Sequence, residues 1–112
     1  MIEETVIAYL ADALAVPVSG AVPADPPGTF VTVEKTGGRS FNLLPAATLA
    51  IQSWAPSIAA AAALNELVKA AMEAIVALDS VSSCDLNTDY NNTDSARKRC
   101  RYKAIFELVH YN

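Results

Sequence analysis

The amino-acid sequence predicts a single α+β domain, residues 1–112, in which two α-helices pack on an antiparallel β-sheet in the order α-β-β-α-β-β. Two segments repeat apolar residues at the spacing of an α-helix, and four others alternate in polarity or are rich in β-branched residues. Proline and glycine separate these segments. A chain of 112 residues can bury enough surface to form one hydrophobic core without disulfides or metals.

The two helices are predicted over residues 2–15 and 57–78. Pro17 ends the first helix, and Pro56 with Ser57 indicates the start of the second. The second helix carries Glu66, Lys69 and Glu73 on its solvent side. The apolar stripes are Ile2, Val6, Leu10, Ala13 and Leu14 in the first helix, and Leu64, Val68, Ala71, Ile75 and Leu78 in the second.

The first two strands are predicted over 29–36 and 47–54, and a short extended piece is expected at 16–19. Between the two strands, residues 37–46 begin with a glycine pair and end near Pro45, which predicts a long hairpin loop or a mobile flap. A final hairpin is predicted from strands at 81–90 and 97–111, joined by a polar tip.

Strand periodicity separates the final hairpin into two faces, because successive side chains of a strand point to opposite sides. Cys84 and Cys100 fall on the same apolar face, and we expect these thiols to be free and to lie close together. The opposite face carries acidic and polar residues on one strand against basic residues on the other: Asp85, Asn87 and Asp89 against Arg97, Arg99, Arg101 and Lys103.

The basic residues are concentrated in the segment RKRCRYK, residues 97–103. Five of the eight basic side chains lie there, although the chain carries a net charge of −4. This segment could be a handle for nucleic acid, a solvated strand face or a docking surface. We interpret it as a strand face used for structure and neighbour contacts, since cross-strand carboxylates at Asp85 and Asp89 would neutralise it. Weak contact with passing DNA is the second interpretation.

The sequence does not favour an enzyme, a metal site or a cofactor site. His110 is the one histidine, and the two cysteines do not form a Cys-x-x-Cys motif. Asp85, Asn87 and Asp89 match the start of a calcium loop, but Tyr90 stands where that loop requires glycine. We also expect neither a secretory signal nor a membrane span, and therefore a soluble cytoplasmic protein without a membrane partner.

One part of the sequence resembles a known family. The stretches VTVEKTGG (31–38) and ATLAIQSWAPS (47–57), followed by a helix with Ala59, Ala63, Leu67 and Ala71, are similar to the tail terminators of long-tailed bacteriophages. These proteins are also described as head–tail joining or minor tail proteins. The resemblance implies a non-enzymatic structural protein that forms a ring, usually a hexamer, and caps the tail tube.

The same resemblance implies three partners: further copies of the chain, the tail-tube protein and a head-completion or connector protein. It implies assembly in the host bacterial cytoplasm and a final position in the neck or tail of the virion. The alternatives are another neck or head-completion protein, or a small nucleic-acid-binding protein that uses the basic strand. The candidate interface residues are Phe41, Leu43, Leu44, Trp54, Arg97, Arg99, Arg101 and Lys103.

Overall fold

The computed structural model describes residues 2–25, 27–41, 44–93 and 99–111. In chain order the elements are α1 (Ile2–Leu14), β1 (Val18–Ser19), β2 (Phe30–Phe41), β3 (Leu44–Ala55), α2 (Ile58–Glu73), a 3₁₀ helix (Ala74–Ala77), β4 (Val81–Asn91) and β5 (Cys100–His110). The predicted α+β class and the order of helices and strands are confirmed. The short extended piece expected near residue 18 is present as β1.

The strands form one five-stranded sheet in the order β1-β2-β3-β5-β4. β1 pairs with β2 in parallel through only two residues, and every other neighbouring pair is antiparallel. Among the described residues, no strand therefore pairs with the outer side of β2 beyond Thr32 or with the outer side of β4. The sheet has two open edges.

Both helices pack on one face of the sheet, the helix face. Ile2, Val6 and Leu10 of α1 are buried, as the apolar stripe predicts, whereas Ala13 is exposed. The phenolic hydroxyl of Tyr9 ties α1 to α2 by donating to the carbonyl oxygen of Ala71 at 2.7 Å. The core also contains Val31, Val33, Leu49, Ile51, Leu64, Val68, Met72, Ile75, Val81, Ala104, Phe106 and Leu108.

The second helix is shorter than predicted. Ser57 caps its start, because the side-chain oxygen of Ser57 accepts a hydrogen bond from the backbone N–H of Ala60 at 3.1 Å. The α-helix ends at Glu73, and four of the five residues predicted to continue it, Ala74–Ala77, form a 3₁₀ helix instead. Ile75 is buried in that 3₁₀ helix, so its apolar position in the stripe predicted burial correctly but not the type of helix.

The prediction of a loop or flap over 37–46 is wrong. β2 continues to Phe41 and β3 begins at Leu44, with pairs Gly38↔Ala47 and Phe41↔Leu44. The glycine pair and Pro45 are turn signals in sequence, but in the structure they lie within strands. Pro45 is tolerated because β3 has no β5 partner beyond Ala46, so the missing N–H of proline breaks no bond on that side.

The two cysteines do not lie close together, so the expectation that their thiols are neighbours is wrong. Cys84 is opposite Leu108, whereas Cys100 begins β5 beside Ala55. Cys100 lies eight positions before Leu108 along β5, a distance of about 26 Å at the rise of an extended strand. Both thiols are free and partly buried.

Candidate interaction surfaces

The basic residues of β5 lie on the sheet face away from the helices, the open face. Arg101 pairs with Trp54 and Lys103 with Gln52, while the intervening Tyr102 belongs to the helix face. Arg99 lies just before β5, and all three basic side chains are partly buried. Arg97 lies outside the described residues. The segment thus presents three described basic residues in one row.

Two of these arginines cover an aromatic pair on the open face. The rings of Phe30 and Trp54 stack with centroids 5.4 Å apart and planes at 7°. The guanidinium carbon of Arg99 lies 5.9 Å from the centroid of Phe30, and that of Arg101 lies 4.9 Å from the centroid of Trp54. The indole N–H of Trp54 donates to the hydroxyl oxygen of Thr32 at 3.1 Å. Trp54 is only 2% exposed, although neither of the described α-helices covers it.

Backbone carbonyls fix both guanidinium groups in place. Arg99 donates from Nη1 to the carbonyl oxygen of Pro27 at 2.6 Å, and Arg101 donates from Nε to that of Asn92 at 2.6 Å. A guanidinium that stacks on a ring and bonds a carbonyl is partly desolvated and loses few rotamers. Both arginines therefore stabilise the subunit itself, in agreement with the interpretation of a strand face used for structure.

The predicted neutralisation of this basic row by Asp85 and Asp89 is wrong. Asp85 is opposite Glu107, a residue of like charge. A β-bulge between Leu86 and Thr88 inserts one extra residue into β4, which exchanges the two faces beyond it. Asp89 consequently lies opposite Ala104 on the helix face, and Tyr90 takes the position opposite Lys103. Among the described residues, neither Arg101 nor Lys103 forms an ion pair.

Asp89 instead belongs to a polar network with α2. One of its carboxylate oxygens accepts from the amide nitrogen of Asn65 at 2.9 Å and from the ammonium group of Lys69 at 3.1 Å. Lys69 also pairs with Glu66 at 2.7 Å, as its helical spacing predicts. The neighbouring carboxylates raise the pKa of Lys69. Asn65 is 1% exposed and lies beside the apolar stripe, so sequence periodicity did not identify its role.

A groove with a volume of about 450 Å³ runs between α2 and β4. Glu66, Lys69, Ala70 and Glu73 line it from α2, and Cys84, Asp85, Leu86 and Phe106 line it from the sheet. Leu86 is 44% exposed there. The groove is therefore apolar at its floor and predominantly acidic at its rim.

Burial, together with the nearby carboxylate of Asp85, raises the pKa of the Cys84 thiol to about 12. The thiol is protonated at neutral pH, and a protonated thiol is a poor nucleophile. Within the described ranges, no three His, Cys, Asp or Glu side chains are grouped so that they could hold a metal ion.

The outer side of α2 is apolar as well. Leu67 is 57% exposed, and it lies in a run of exposed alanines: Ala59, Ala60, Ala63 and Ala70. A helix that faces only water normally carries polar residues on its outer side. Ala59, Ala63 and Leu67 are among the residues that carry the resemblance to tail terminators. No described helix is long and apolar enough to cross a membrane.

The structure places the apolar hairpin residues at the far end of β2 and β3. Phe41 ends β2 at a register position opposite Leu44, and Leu44 is partly buried. Leu43 lies outside the described residues. The described candidate interface residues do not form one cluster, because the hairpin end and the aromatic pair lie at opposite ends of β3. Phe41 and Leu44 lie at the hairpin end, and the residues near the other end are Trp54, Arg99, Arg101 and Lys103.

The architecture is that of an α+β domain with both helices on one sheet face, and it has a counterpart of known structure. This chain is similar to a chain in a structure titled "Virion of native gene transfer agent (GTA) particle", with a TM-score of 0.63 and 18% sequence identity. The match covers 99% of this chain and 90% of that chain. At this identity the comparison establishes the fold. No protein-family model and no curated protein sequence matches the chain.

Proposed function

We propose that the protein is a structural component of a phage or prophage virion that forms a ring, caps the tail tube and joins the tail to the head. The observation that carries this proposal is the fold, which matches a chain of a virion over almost the full length of both chains. The protein acts by assembly, without catalysis. Its partners are further copies of itself, the tail-tube protein and a head-completion or connector protein.

The surface of the single subunit supports a role in assembly. The outer side of α2 exposes Leu67 among alanines, and the groove beside it exposes Leu86. Exposed apolar surface of this kind is typical of proteins that bind other proteins. The two apolar surfaces and the hairpin end are different from one another, as contacts between successive subunits of a ring require.

The proposal is tested by adding the purified protein to polymerising tail-tube protein from the same gene cluster and measuring tube lengths by electron microscopy. We expect shorter tubes that carry a ring at one end. Ala63→Lys on the outer side of α2 should abolish capping, whereas Ala11→Lys, the same change at an exposed position of α1, should not. Tubes of unchanged length without end rings would refute the proposal.

A head-completion component of the neck is the alternative within this class. The same protein would then bind connector particles and leave the lengths of tail tubes unchanged. A small nucleic-acid-binding protein is the other alternative, and it is favoured by one observation: no described carboxylate pairs with Arg101 or Lys103.

A further inference from the structure

We propose that the sheet continues from one copy of the protein to the next, with the open edge of β2 at Gly37–Arg39 pairing antiparallel with the open edge of β4 at Ser83–Asp85. This inference rests on the proposed ring and assigns its subunit contact. The partner is a second copy of this chain.

A glycine pair lies at the open edge of β2. Gly37 and Gly38 lie inside β2, where glycine is unfavourable, and neither has a positive φ that would require glycine. A Cβ atom at Gly37 would come no nearer than 3.7 Å to Thr48, an ordinary contact. Packing within the subunit therefore does not explain the missing side chain of Gly37. Glycine in a strand is typical of a position that another backbone approaches closely.

The register across the sheet relates this edge of β2 to the open edge of β4. Gly37 pairs with Thr48, Thr48 with Glu107, and Glu107 with Asp85. In the next row, Gly38 pairs with Ala47, Ala47 with Leu108, and Leu108 with Cys84. The two open edges thus lie at the same height along the strands. When the two edges lie at the same height, each copy is shifted little along the assembly axis relative to the copy before it. Head-to-tail contacts of this kind can close into rings.

The directions of the two edge strands also suit this contact. β2, β3, β5 and β4 alternate in direction, so β4 runs opposite to β2. Copies that share one orientation along the ring axis would bring β4 of one copy and β2 of the next together as an antiparallel pair. Bulges interrupt β4 on either side of Ser83–Leu86. Those four residues form a regular stretch for such a pair.

Charge also agrees with this pairing. From Lys35 to Thr48 the β2–β3 hairpin contains the basic residues Lys35 and Arg39 and no acidic residue. The groove beside the β4 edge carries three carboxylates, Glu66, Glu73 and Asp85, against the single ammonium group of Lys69. Lys35 is exposed and shares a row with Leu86, so it would enter this groove in the neighbouring copy.

Disulfide cross-linking tests the contact, because Gly38 would lie directly opposite the native Cys84. Cβ atoms of opposite residues in an antiparallel pair are close enough for a disulfide. We expect Gly38→Cys in a Cys100→Ser background to give a ladder of covalent oligomers under oxidation at the highest soluble concentration. Asp12→Cys on α1 in the same background serves as the control and should give none.

A Cβ atom at Gly38 would lie 3.1 Å from the Lys35 side chain, so Gly38→Cys could disturb the fold. A second cysteine pair therefore tests the same contact independently. Gly37→Cys with Asp85→Cys, both native cysteines being replaced by serine, should give the same ladder. Lys35→Glu should weaken cross-linking several-fold, and Glu73→Lys should restore it. A product that stops at the dimer, or no product from either pair, would overturn the inference.

The outcomes separate this inference from the proposed function. Rings on tube ends without either cross-link would refute the strand pairing and leave the capping role intact. A ladder from both pairs in a protein that does not cap tubes would support the pairing and refute the capping role.

Discussion

The guanidinium carbon of Arg101 lies 4.9 Å from the centroid of the Trp54 ring, on the sheet face opposite α1 and α2. Trp54 is 2% exposed because this arginine and the stacked Phe30 shield it. The open face therefore contains a small aromatic core of its own. Basic residues form its outer layer.

Replacing Trp54 should lower the free energy of unfolding more than replacing Arg101, which covers its ring. We expect Trp54→Ala to lower the free energy of unfolding by about 3–5 kcal/mol, since a large buried side chain is removed. Arg101→Ala should lower it by about 1–2 kcal/mol through loss of the stacking and of one hydrogen bond. Urea denaturation measures both changes. Leu67→Ala, at an exposed position, is the control and should have little effect.

The bulge in β4 predicts different effects for two aspartates that the sequence places in one row. Asp89→Ala should lower the free energy of unfolding by about 1–3 kcal/mol, because it leaves the buried amide of Asn65 without its acceptor. Asp85→Ala removes an exposed carboxylate opposite Glu107 and should change stability by no more than about 0.5 kcal/mol. Equal effects in urea denaturation would contradict the register between β4 and β5.

The sequence was sufficient to predict the order of helices and strands. The spacing of apolar residues and the positions of proline and glycine, on which that order rests, are local properties. Alternation along β2 and β3 is local in the same way, and it places Val31 and Leu49 together in the core. The sequence failed where one residue changes the register. The bulge near Leu86 cannot be read from a polar stretch, and it moved Asp89 to the other face.

The candidate surfaces were predictable only in part. Basic residues on alternate positions of β5 predicted their common face, but the stacking on Phe30 and Trp54 depends on pairing between distant strands. In sequence, the glycine pair indicates a turn, because most such pairs form turns. Its place within β2 follows from tertiary pairing with β3.

Ala15 ends α1 in a left-handed conformation, with a φ of 55°. Its Cβ atom crowds the backbone there, whereas glycine adopts this conformation without cost. We expect Ala15→Gly to raise the free energy of unfolding by roughly 0.5–1 kcal/mol. Ala13→Gly, at an exposed position inside the helix, should lower it by a similar amount. Thermal and urea denaturation of the two variants should therefore shift in opposite directions.

His110 should make stability depend on pH. Burial lowers its pKa below the ordinary value of 6.5, the ammonium group of Lys35 lowers it further, and Glu3 opposes them in part. The unfolded chain then binds more protons than the folded one, so this contribution is present above pH 6.5 and is lost as the pH falls through the folded pKa. We expect His110→Gln to flatten the dependence of the unfolding free energy on pH just below 6.5. An unchanged slope would contradict this burial.

The basic row should attract DNA weakly and without sequence preference. Carbonyl oxygens accept hydrogen bonds from Arg99 and Arg101, whereas the Lys103 side chain has no hydrogen bond to another described residue. Few phosphate contacts per subunit cannot sustain tight binding, since each contact steepens the salt dependence by about one unit in log–log slope. We expect fluorescence anisotropy to show binding at low salt that disappears at physiological salt. Lys103→Glu should reduce the slope by about one, whereas Lys35→Glu, the same change away from the row, should not. Submicromolar, sequence-dependent binding at physiological salt that Lys103→Glu abolishes would instead establish the nucleic-acid-binding alternative.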